Sequence, residues 1–93
     1  MNQYNVLVAA EFHNLNEALI NERNQRLEDA CFEKIPTIED AWEIALEAPD
    51  EAEAKNLAIE KFVNAIRTYP CELKMVVQAG TSQILRRKKV FEP

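Results

Sequence analysis

This 93-residue chain has one glycine, one histidine and two cysteines, and each scarcity excludes something. A single glycine gives little scope for a loop whose backbone closes on a phosphate. One histidine and two scattered cysteines, Cys31 and Cys71, make no set of metal ligands at matched spacing, so neither a metal nor another cofactor is expected. Without a CxxC pair, two small buried thiols are expected in preference to a disulfide. No apolar run is long enough to cross a membrane. The opening residues MNQYNVLVAAEF lack a basic segment and carry Glu11 early, so no signal peptide is expected and a cytoplasmic location is. His13 has Glu11 and Glu17 near it in sequence to orient it, but no nucleophile is specified. An enzyme is therefore not expected.

What is present suits one small folded domain over residues 1–93, without repeats or low-complexity segments. The clearest element is a helix between Pro49 and Pro70. Asp50 with Glu53 three residues on reads as an acidic capping box, and Pro70 as the stop. Ala54, Ala58, Ile59, Phe62, Val63, Ala65, Ile66 and Tyr69 fall on one arc of a 3.6-residue period.

Residues 4–11 read as a strand, with one continuous helix from Gln3 to Lys34 as the alternative. A helix over 15–34 follows, with Asn14 and Glu17 as its start and Pro36 as its end. Its middle, residues 21–26, is polar on every side and reads as a solvated projection. Thr37 with Asp40 reads as the cap of a third helix, IEDAWEIALEA, whose inner stripe includes Ile38, Ala41, Trp42 and Ala45. CELKMVVQ alternates like a strand, and QILRRKKVFEP beyond Gly80 completes a hairpin. The expectation is α+β: three helices on a small antiparallel sheet built from the N-terminal strand and the C-terminal hairpin. An all-α bundle is the alternative.

Charge supplies the functional expectations. Residues 1–70 carry 14 acids against 6 bases, whereas residues 71–93 carry 5 bases against 2 acids. Such a split favours assembly with a charged partner or between copies. Glu39, Glu43 and Glu47, four residues apart, would line one helical face as a docking surface or a merely solvated one. Glu39, Asp40, Glu43 and Glu47 together offer a weak carboxylate-only site for a hard cation as a further reading. Trp42 beside them would be an anchor for a partner if exposed. Arg86, Arg87, Lys88 and Lys89 form a basic run suited to self-association, to an acidic partner, or to protecting a sheet edge. The leading expectation is a small non-catalytic protein-binding protein, an accessory, adaptor or inhibitor subunit that forms a homodimer and does not associate with membranes. One alternative is a nucleic-acid-associated regulator gripping phosphates with residues 86–89. Another is an acidic nucleic-acid mimic, using residues 39–53 to block a DNA-binding partner.

Overall fold

The computed structural model describes residues 1–36, 38–67 and 71–92. It is α+β, with two helices on one face of a four-stranded antiparallel sheet. The elements run β1 (Asn2–His13), α1 (Glu17–Asp29), β2 (Glu33–Lys34), β3 (Ala41–Ala48), α2 (Glu51–Ile66) and β4 (Glu72–Gly80). The sheet order is β2-β3-β1-β4. Each helix joins two strands that skip one position, the split βαβ pattern of ferredoxin-like sheets. No described helix is long and apolar enough to cross a membrane.

Strand alternation divides the sheet into two unlike faces. Tyr4, Val6 and Val8 of β1 point to the helices, opposite Leu46, Ile44 and Trp42 of β3. Ala79 and Val77 of β4 continue that layer. From α2, Ala54, Ala58, Phe62 and Ile66 descend onto it at helical spacing, and Leu27 and Phe32 close it from the α1 side. The Phe62 ring sits 5.4 Å from Trp42, 5.3 Å from Phe32 and 6.2 Å from Phe12, centroid to centroid. The Trp42 and Phe32 contacts are edge-on, the arrangement ring quadrupoles favour. The opposite face, with Leu7, Ala9, Glu43, Ala45, Glu47, Lys74 and Val76, has no helix on it.

Several expectations need correction. The third helix is strand β3. Its sequence carries helix formers and a cap-like start, but Trp42, Ile44, Leu46 and Ala48 also alternate with Ala41, Glu43, Ala45 and Glu47. Pairing with the apolar row of β1 selects the two-residue period. Ile38, expected on an inner stripe, is exposed, as is Val63 of α2. The C-terminal hairpin does not form. β4 pairs with β1, and residues 81–92 are neither helix nor strand. The expected cap at Thr37, and Tyr69 and Pro70 at the end of α2, lie outside the described residues. The Asp50 cap is as expected, its Oδ1 accepting from the Glu53 N–H at 2.8 Å.

Helix α1 starts and stops inside its expected span. Asn16 is the cap, accepting from the Leu19 N–H at 3.1 Å, and Asn14 instead turns the chain at φ 69°. At the far end Cys31 takes φ 75°. Its N–H donates to the Glu28 carbonyl and the Phe32 N–H to the Leu27 carbonyl, each at 2.9 Å. That is a Schellman stop, with Leu27 and Phe32 both buried in the core as its apolar pair. It places Cys31 on the surface and not in the core; both cysteines are free, and Cys71 is half-buried.

Residues 21–26 are not a plain solvated turn either, because Arg23 is 3% exposed. Its guanidinium lies 4.5 Å from the Phe12 ring centroid and 5.1 Å from that of Trp42, and reaches Asp40 Oδ1 at 3.2 Å. It closes one end of the core by cation–π stacking and an ion pair.

The left-handed conformation at Cys31 generates a stability prediction. A non-glycine residue there is strained, and its exposed side chain contributes little packing. Cys31→Gly is expected to raise unfolding stability by about 1 kcal/mol, measured by urea denaturation at unchanged m-value.

Candidate protein-binding surface on the open sheet face

β2 is two residues long, and its register sets Glu33 directly opposite Glu43 of β3. Like charges facing each other across neighbouring strands are destabilising unless something offsets them. Here the offset is Arg86. Its Nη2 lies 3.3 Å from Glu33 Oε1 and 3.2 Å from Glu43 Oε2. The Glu43 Oε2 atom is closed off from solvent and has no hydrogen bond among the described residues, so Arg86 supplies its counter-charge as an ion pair, while the Glu33 side chain stays largely exposed. The close contact with Glu43, opposed by desolvation and helped by Glu33, raises the Arg86 guanidinium above its ordinary value.

The tail comes to this point across the sheet. Leaving β4 at Gly80, which pairs with Asn5, it is held at Ser82, whose carbonyl accepts from Asn5 Nδ2 at 2.9 Å. Four residues later Arg86 is at the β2–β3 edge. The segment therefore passes from the β1–β4 side of the open face to its opposite side. Ile84 is half-buried along the way, and a shallow pocket at the Arg86 end is lined by Glu33, Glu43, Gln83, Ile84, Leu85 and Arg87.

The residues expected to bind partners are thus distributed in a new way. Glu43 and Glu47 share the open strand face, opposite Leu7 and Gln3 of β1, and Glu47 is exposed. Glu39 is not with them. It lies before β3, beside a cleft of about 250 Å³ lined also by Arg23, Asn24, Lys34 and Asp40. Trp42 does not meet the condition for a surface anchor: at 1% exposed, it belongs to the helix-side core and not to the binding surface. Arg86 is committed to the sheet, whereas Arg87, Lys88 and Lys89 are exposed. Among the described residues these three have no acidic side chain in ion-pair contact. Val90 and Phe91, just beyond, are also bare, Phe91 at 87%.

Glu33 was not recoverable from sequence, since a two-residue strand leaves no periodic trace. The charge split did signal that the tail and the acids attract, but not that they meet within one chain. His13 and Glu11, singled out as neighbours, do come together, with Nε2 3.0 Å from Glu11 Oε1 at the end of β1. Among the described residues no three His, Cys, Asp or Glu side chains are grouped to hold a metal ion.

Fold and face together describe a small sheet-and-helix domain whose open face holds a basic segment in an acidic notch. Comparison with protein-family models and with curated proteins gives no match.

Removing Arg86 tests the notch. Arg86→Ala is expected to speed hydrogen exchange at the β2 amides and to open residues 83–92 to protease, with the thermal midpoint nearly unchanged. Adding Glu33→Gln to Arg86→Ala is expected to restore β2 protection, because it removes the like-charge pair, while leaving the tail cleavable.

Proposed function

We propose that the protein is a non-catalytic protein-binding module, acting as an accessory, adaptor or inhibitor subunit and as a homodimer. Its open sheet face receives an extended, arginine-bearing segment of a partner protein. The observation that carries this reading is the seating of Arg86 between Glu33 and Glu43, which are 3.3 and 3.2 Å away. The notch has the geometry and charge to take a guanidinium on an extended backbone, and the chain's own tail is its intramolecular occupant. Around the notch, Leu7, Ala9 and Ala45 offer a small apolar floor, and Glu47 a further acid. A partner segment competes with the tail, so its apparent affinity is reduced by the fraction of time the tail is docked.

A second reading rests on the exposure of Arg87, Lys88 and Lys89, which are placed to contact phosphates of a nucleic acid. The face beside them weakens it. Tyr4, Phe12 and Trp42 all turn toward the helices, so the open side of β1 and β3 offers no ring for a base to stack on. The acidic-mimic variant has less support, because the acids of residues 39–53 are spread over a loop, the sheet face and the start of α2.

The test is a titration of the Arg86→Ala protein with a labelled, extended peptide carrying one arginine among small and apolar residues. Anisotropy is expected to report saturable binding that weakens several-fold between low and moderate salt. Binding is expected to be lost with Glu43→Lys and to be weaker to the wild-type chain, whose notch is occupied. Binding of a single-stranded oligonucleotide by wild type, lost when residues 86–89 are all alanine, would favour the second reading instead.

A further inference from the structure

The outer edge of β4 is a surface the acidic face does not use. β4 is nine residues long and stands last in the strand order, bonded to β1 on one side. Among the described residues no strand meets the N–H and C=O groups of its other side. Folded proteins usually blunt such an edge with proline, a bulge or an inward charge. Residues 72–80 contain no proline, and their register with β1 runs unbroken from Glu72 opposite His13 to Gly80 opposite Asn5. The one charge in the middle of the strand, Lys74, faces Glu11 across the β1–β4 pair and is offset by it. Val76, at the strand's midpoint on the open face, is 71% exposed.

We propose that two copies of this chain pair edge to edge through β4, antiparallel about a two-fold axis at Val76, to make one eight-stranded sheet. The proposal deepens the homodimer part of the reading above and is independent of its acidic notch. The strand's own residues fit this register. Val76 meets the partner's Val76, Lys74 meets the partner's Gln78 and Glu72 meets the partner's Gly80. On the helix side Met75 meets the partner's Val77. All nine residues overlap and no like charges oppose each other. Sliding until Lys74 faces the partner's Lys74 would keep only residues 72–76 in register and set two ammonium groups together. Backbone pairing, not charge, supplies the contact, so this association resists salt. An edge-only interface falls in the small, weak class, so dimerisation depends on concentration.

Sedimentation equilibrium of the full chain over a wide concentration range, at low and high salt, reads the assembly directly. The expected result is a monomer–dimer equilibrium whose constant changes less than about two-fold with salt and is unaffected by Arg86→Ala. Val76→Lys is expected to be monomeric with an unchanged circular dichroism spectrum and thermal midpoint, since the side chain it replaces is exposed. With Cys31→Ser and Cys71→Ser in place, Val76→Cys is expected to cross-link under mild oxidation at least ten-fold faster than Gln78→Cys, because position 76 faces itself and position 78 does not. A monomer at every concentration, a dimer that survives Val76→Lys, or equal cross-linking at the two positions would overturn the proposal. A dimer abolished by salt or by Arg86→Ala but not by Val76→Lys would assign self-association to the charged face instead.

Discussion

Phe62 is the contact on which the fold depends. Its ring, carried by α2, touches Phe12 of β1, Trp42 of β3 and Phe32 just past α1. β1, β3 and α2 therefore meet at one side chain, and the link between α1 and β2 joins them through Phe32. The convergence requires Trp42 to face the helices, which in turn sends Glu43 and Glu47 to the open side. The acidic face is thus a consequence of core packing. A strand that buries its tryptophan on one side must present its glutamates on the other.

The open face then inherits an electrostatic problem, and its solution defines the candidate function. Glu33 and Glu43 face each other across the shortest strand pairing in the sheet. The chain resolves the repulsion with a residue more than forty positions downstream. That solution rests on a single guanidinium, Arg86, in contact with both acids. On the proposed reading, a partner's arginine takes the place of the chain's own, in competition with a tail of high effective concentration. The bare Val90 and Phe91 beyond the basic run mark that tail as a segment with apolar surface still to cover.

Much of the helical half was legible in the sequence. Asp50 and Glu53 marked the start of α2, and Ala54, Ala58, Phe62 and Ile66 marked its buried stripe, because cap chemistry and a 3.6-residue period are both local. The strand-like alternation of β4 was legible for the same reason, whereas at β1 Val6, Leu7 and Val8 favoured a strand while Ala9, Ala10 and Glu11 left a helix open. Residues 41–48 were not, since Trp-Glu-Ile-Ala-Leu-Glu-Ala satisfies a helical and a two-residue period at once, and only the facing row of Val6 and Val8 selects the strand. The end of α1 was hidden because its left-handed stop is a cysteine and not the glycine that usually signals one. Of the binding surface, Glu43, Glu47 and Arg86 could be named in advance as charged candidates. Their meeting with Glu33 could not, because it depends on sheet register and on the path of the tail.

The central claim is that the acidic notch and the basic tail form one surface in solution. Paramagnetic broadening tests it most directly. A nitroxide is attached at Lys88→Cys in a chain whose Cys31 and Cys71 are serine, and amide signals are followed at low and high salt. The account predicts strong broadening confined to β2 and the β2-paired end of β3, weakening as salt rises. Broadening spread evenly over the molecule, or centred on the helices, would contradict it.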